Sequence, residues 1–240
     1  MDTETTGLGS RSFVFDFGYV IATRNKILAE REFLVREVLT NPKIMLGALF
    51  NNEWRAMMGG KLFRHYIPGL NDNSLALYSW HDVLAQMRDD ILTYNVSVFS
   101  AYNLPFDLKA MQKTHNMIAS KTLDFSRLTM LCLWEFACVT VCREQTYHNL
   151  CWQLGRDKGW ITEVGNVRTT AEKVHAYLTG NFEFQESHTA LADAQIETEI
   201  LQRLLAKKKT IPYNVVQGFS WRRAQKIRGR LFDDMSKLKH

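Results

Sequence analysis

Residues 12–23 read SFVFDFGYVIAT and residues 27–35 read ILAEREFLV, with only Arg24-Asn25-Lys26 between them. Aromatic and β-branched side chains favour extended chain, and a short polar link lays consecutive strands side by side in opposite directions. The pair predicts an antiparallel hairpin, which limits the possible architectures more than any other stretch. Residues 1–4 are expected as a short leading strand, so 5–11 becomes a glycine-containing loop into the hairpin.

Beyond the hairpin the apolar period changes. SWHDVLAQMRDDIL, 79–92, has helical spacing with Ser79 as N-cap, and VSVFSAY, 96–102, reads as a buried strand before a helix over 105–118. A short strand at 123–125 and helices over 126–142 and 146–155 follow. Thr169 or Thr170 caps a helix over 171–179, and Ser187 or Thr189 caps one over about 189–206. Three strands, then helix-strand-helix, then helices predict an α/β fold whose mixed sheet has an antiparallel edge flanked by helices. Asn41-Pro42, Gly59-Gly60, Pro68-Gly69 and Asn71-Asp72-Asn73 punctuate 40–80, which reads as a variable insertion or lid.

A 240-residue chain with 46% apolar composition buries a sizeable core, so one domain over 1–206 is expected, followed by an extension over 207–240. No apolar run approaches the roughly 20 residues of a membrane span, and the first residues lack the basic and apolar regions of a signal peptide. A cytoplasmic protein without membrane contact is the expectation. Cys132, Cys138, Cys142 and Cys151 lack Cys-x2-Cys spacing and read as reduced, partly buried thiols of a packed helix.

Charge is unevenly placed. Residues 207–240 carry +8, which leaves −3 on the rest of a chain whose net charge is +5. An acidic body approaches a polyanion only with cations or a basic appendage, and this composition offers both. In 207–240, Lys207-Lys208-Lys209 and Trp221-Arg222-Arg223 through Arg230 interleave basic and aromatic residues. That is the composition of a single-strand-binding surface, and also of a solvated helix end.

Carboxylates recur at three distant places: Asp2-x-Glu4, Asp107 and Asp193. In a strand, residues two apart share a face, so Asp2 and Glu4 project together and repel unless cations neutralise them. Singly, Asp193 is a solvated helix carboxylate and His188 a polar cap-region residue. The order and spacing of the set carry the argument.

MDTETTG at 1–7, AYNLPFD at 101–107 and HTALADA at 188–194 resemble the three exonuclease motifs of the DnaQ-like, DEDDh branch, and the resemblance extends to about residue 205. It implies an RNase H-like fold, two divalent cations, Mg²⁺ or Mn²⁺, and hydrolysis from a free 3′ end. By the same resemblance Asp2, Glu4, Asp107 and Asp193 are metal ligands and His188 is the general base. The chemistry is coherent: hard cations prefer carboxylate oxygen, and two of them about 3.5–4 Å apart stabilise attacking and leaving oxygens together. An imidazole with an ordinary pKa of about 6.5 accepts water's proton near neutral pH.

The resemblance also assigns Thr5, Thr6 and Leu8 to contact with the terminal nucleotide and Asn103 to its positioning, while Phe106 is either a base-stacking ring or part of an apolar strand-to-helix junction. Single-stranded DNA is the favoured partner, in proofreading or nucleotide recycling. The ESHTALADAQIE segment resembles phage-encoded members, which makes a DNA polymerase or another replication protein an expected partner. Two alternatives stay open: an exoribonuclease or oligoribonuclease with the same chemistry, and a non-catalytic polymerase-associated subunit. One departure stands out, since family members carry several apolar residues before the first aspartate and here only Met1 precedes it. A start further upstream, or completion of the strand by other elements, is expected. As the sequence stands, the α-amino group lies one residue from a predicted ligand.

Overall fold

The structure is a computed structural model and describes residues 1–7, 9, 12–49, 60–207 and 210–225, without the side chains of 46–49. Leu8, residues 50–59 of the expected insertion, Lys208, Lys209 and the basic residues beyond 225 lie outside the described residues.

The chain divides into two compact units that interleave along the sequence. The first comprises Met1–Phe99, Phe106–Thr129 and Ser187–Gln195; the second comprises Ser100–Pro105, Met130–Glu186 and the described residues from Ile196 onward.

In the first unit, β1 (Asp2–Thr5), β2 (Val14–Ala22), β3 (Ile27–Val35) and β4 (Leu77–Tyr78) form one sheet in that order. The β1-β2 and β2-β3 pairs are antiparallel and β3-β4 is parallel, so the sheet is mixed. The predicted hairpin forms, with Phe17 opposite Phe33 and the turn closed by Thr23 N donating to Lys26 O at 2.8 Å. β4 is two residues long, too short for side-chain alternation to mark it in the sequence.

Between β3 and β4 lie α1 (Arg36–Leu39), α2 (Pro42–Leu49), a π-helical turn (Leu62–Tyr66) and α3 (Ile67–Asn71). α4 (Trp80–Thr93) follows β4, and Ser79 caps it as predicted, its hydroxyl accepting from Asp82 N at 3.1 Å. β2 is buried from Val14 to Tyr19, and Phe17 packs against Phe33 and Trp80 while Phe15 meets Tyr66 edge-on. Each such buried side chain contributes about 1.5–3 kcal/mol relative to exposure, so the aromatic hairpin organises this core.

Two expectations are corrected downstream. β5 (Val98–Ala101) pairs with β6 (Thr129–Cys132), which falls inside the stretch expected to be helical from 126. The residues 123–125 form no strand, and Asp124 instead accepts from Ser126 N at 2.9 Å to turn the chain. A four-residue run such as Thr129–Cys132 has no decisive period, so backbone pairing settled the state.

The remaining helices are α5 (Leu104–Ala119), α6 (Leu133–Thr140), α7 (Gln145–Leu154), α8 (Ala171–Thr179) and α9 (Ala190–Lys207). Thr170 caps α8, and Gly180 ends it in the left-handed conformation. In the second unit the four cysteines are free and buried, and burial pushes the Cys151 thiol up to about 12, which keeps it protonated. Residues 210–225 pack into this unit: Ser220 and Ala224 are buried, and Gln225 bonds both Val167 N and Val167 O at 3.1 Å. Among the described residues no helix is long and apolar enough to cross a membrane.

Candidate metal centre

All the groups that meet at this site belong to the first unit. Burial alternates along β1, with Thr3 and Thr5 buried and Asp2 and Glu4 partly exposed, as strand geometry requires. Glu4 stands opposite Asp16 on β2, and Asp2 stands opposite Gly18. Residues directly opposite share a face, so Asp16 joins Glu4 on its side of the sheet. Gly18 is what admits the third element. A Cβ there would sit 2.3 Å from both Ala190 C and Leu191 N, so the missing side chain lets the first turn of α9 rest on β2.

That contact brings the third motif to the first. Glu4, His188 and Asp193 each offer one ligand atom, and these atoms all lie within 4.8 Å of one another. His188 Nδ1 is 3.8 Å from Asp193 Oδ2. His188 has φ +56°, in the left-handed region where a non-glycine residue costs about 1–3 kcal/mol and persists only when its surroundings hold it. They do: its carbonyl accepts from Lys61 Nζ, and Ala190 N, two residues on, donates to Asp16 Oδ2 at 3.1 Å.

Asp16 is fully buried and also accepts from the Tyr66 hydroxyl at 2.8 Å, on the same oxygen; its other oxygen, Oδ1, has no hydrogen-bond partner. Burial, with Glu32 nearby, pushes its carboxyl up to about 7 against the pull of Ala190 N, Tyr66 and His65. Burial likewise raises Asp193 to about 6, partly offset by Lys61 and the His188 backbone, and Asp193 Oδ1 is also without a partner. Lys61 Nζ lies 3.7 Å from Glu4 Oε1. One ammonium thus serves two carboxyl groups, Glu4 and Asp193, while Asp193 and Asp16 each keep a buried oxygen without a donor. Hard oxygen donors with unmet demand and one imidazole fit a divalent cation such as Mg²⁺ or Mn²⁺.

The other predicted residues are placed as follows. Asp2 shares the Glu4 side of β1 by alternation. Asp107, in the first turn of α5, is buried and accepts from Thr3 Oγ1 at 2.8 Å. Thr3 lies on the side of β1 away from Glu4, and Asp107 is not among the three residues that converge. Burial pushes its carboxyl up to about 7, against Thr3 and the chain's amino group. Thr5 Oγ1 donates to Gly7 O at 3.0 Å and Thr6 Oγ1 accepts from Phe13 N at 3.2 Å, so both hydroxyls close the loop after β1. Phe106 is half-buried in the first turn of α5, and Asn103 belongs to the second unit, just before that helix.

Sequence reasoning missed Asp16, Tyr66 and Lys61. A lone aspartate inside the apolar run FVFDFGYV was the available signal for Asp16, because a buried carboxyl in a strand needs a reason. Nothing marked Lys61 or Tyr66. Compared with models of protein families, with curated proteins and with solved structures, the chain matches none.

Proposed function

We propose that the chain is a cation-dependent 3′-to-5′ exonuclease that releases nucleoside 5′-monophosphates from single-stranded DNA, with an RNase H-like arrangement as the finer description of its α/β fold. The carrying observation is the convergence of Glu4, His188 and Asp193, from the two ends of the chain, within 4.8 Å. These are three of the five positions that the motif resemblance marks. The unmet oxygens of Asp16 and Asp193 support the same reading.

In this reading Glu4 and Asp193, with Asp2 and Asp107, hold two Mg²⁺ or Mn²⁺ ions. Those ions, when bound, supply charge stabilisation for the attacking and leaving oxygens. His188 Nδ1 lies 3.8 Å from Asp193 Oδ2, and its imidazole takes the proton of the attacking water. Asp16, anchored by Tyr66 and Ala190 N, fixes the first turn of α9 and so positions His188 and Asp193. The basic stretch from Lys207 onward adds affinity for the phosphate backbone, consistent with a replication protein as partner.

A time course on 5′-labelled single-stranded DNA, duplex DNA and RNA, in Mg²⁺, Mn²⁺ or EDTA, tests this. The expected result is a ladder shortening from the 3′ end of single-stranded DNA, with mononucleotide release that EDTA abolishes. Release that resists EDTA, or no release from any substrate, would overturn the reading; faster release from RNA would move it to an exoribonuclease.

A further inference from the structure

We propose that Lys61 is a phosphate-binding residue of this site, held in waiting by the oxygens that a divalent cation would take. The inference rests on the cation-site reading above. Lys61 comes from the stretch between β3 and β4 that none of the three motifs includes.

Its reach follows from local geometry. Lys61 immediately precedes the π-helical turn, which Ile67 N closes by bonding to Leu62 O, five residues back. Bonding of this kind places residues five apart on one side, whereas in an α-helix the shared face recurs at three and four. Lys61 and Tyr66 are five apart, and both reach the acidic pocket. Lys61 Nζ lies 3.7 Å from Glu4 Oε1 and donates to the His188 carbonyl, while the Tyr66 hydroxyl donates to Asp16 at 2.8 Å. Single π-helical turns recur at functional sites because they re-aim side chains in this way.

The ammonium is a compact point charge on a flexible four-carbon stem, with three donors. The groups it serves are Glu4, His188 and, through its charge, Asp193, the same three whose ligand atoms converge. An ammonium and a divalent cation therefore compete for one seat. With no cation bound, Lys61 neutralises the carboxylates; with a cation bound, like-charge repulsion drives the ammonium to the pocket mouth. The anion delivered there is the phosphodiester of the substrate, for which a lysine is a suitable point-charge partner. Substrate that draws Lys61 away also tightens cation binding, by reciprocity of coupled equilibria.

The test is a Mn²⁺ titration of wild type, Lys61→Met, Lys61→Arg and Glu4→Gln by electron paramagnetic resonance without nucleic acid, with melting curves to show that each variant is folded. Lys61→Met should bind Mn²⁺ about tenfold more tightly, and Lys61→Arg should stay within about threefold of wild type. In turnover, Lys61→Met should raise KM for single-stranded DNA about tenfold with kcat nearly unchanged, and Lys61→Arg should recover most of it. Mn²⁺ affinity that does not rise in Lys61→Met, or a KM that does not move, overturns the proposal. If wild type and Glu4→Gln both fail to bind Mn²⁺, the cation-site reading itself falls and takes this inference with it.

Discussion

Asp90 on α4 and Asp16 on β2 are both buried aspartates of the first unit, yet their surroundings are opposite. Asp90 meets the Tyr19 hydroxyl at 2.9 Å and Arg31 Nε at 3.1 Å on one oxygen, and Gln86 Nε2 at 3.1 Å on the other. Asp16 takes both its donors on one oxygen, and the second oxygen receives none. The second unit repeats the Asp90 pattern at buried Glu135, which Arg223 meets at 2.6 Å and Gln217 at 2.7 Å. Asp90 and Glu135 are thus met on both oxygens, whereas Asp16 and Asp193, where α9 meets β1 and β2, each keep one oxygen unmet. Unmet buried polar atoms in a native fold call for an explanation, and a bound cation supplies one.

That contrast is sharpest at Asp193. Asp193→Asn should cut mononucleotide release on the order of 10³-fold while leaving the melting temperature unchanged or higher, because it removes a carboxyl that burial disfavours. Parallel measurement of release rate and melting checks it; loss of both together would make Asp193 a structural residue like Asp90.

The next effect is on stability and has a definite sign. Asp16 and Asp193, raised to about 7 and about 6, hold protons in the folded protein that the unfolded chain releases near pH 4, an ordinary aspartate value of about 3.9. Their contribution to the stability of the cation-free protein is therefore complete below about pH 4 and is lost as pH rises through about 7, by up to about 4 kcal/mol for Asp16. Urea unfolding in EDTA at pH 5 and pH 8 should show this decline, Asp16→Asn should remove much of it, and saturating Mn²⁺ should oppose it at pH 8. An identical pH slope in wild type and Asp16→Asn would place Asp16 with the satisfied carboxylates.

A smaller change is expected at the base. His188→Ala should slow turnover about 10²-fold while Mn²⁺ affinity falls far less, which separate titration and kinetics will distinguish. Smallest is the control: Asp90→Asn should cost about 2 kcal/mol of stability by weakening a satisfied network and leave release within about twofold of wild type. Release lost there without loss of stability would erase the distinction between the two kinds of buried carboxylate.

The hairpin and the Ser79 cap were legible in the sequence because each depends on neighbours a few residues away: a polar turn between β-branched runs, and a hydroxyl three residues before the amide it accepts from. β6 was not, since Thr129–Cys132 is only four residues long and its state depends on its partner strand. At the candidate site the motifs indicated Glu4, His188 and Asp193, but Asp16 read only as part of an apolar strand. Asp107 was legible as a carboxylate and not as the acceptor of Thr3, 104 residues away in the chain.

The sequence by itself determined the hairpin and the caps of several helices, how charge divides between body and tail, and in what order the acidic motifs run. Torsional preference and apolar periodicity act over a few residues, and these are the properties they govern. The tertiary structure alone decided which carboxyls converge: the side chain absent at Gly18 seats α9, and the π-helical turn aims Lys61 and Tyr66. Those contacts join residues far apart in the chain, and desolvation of a carboxyl depends on everything packed around it rather than on its sequence neighbours.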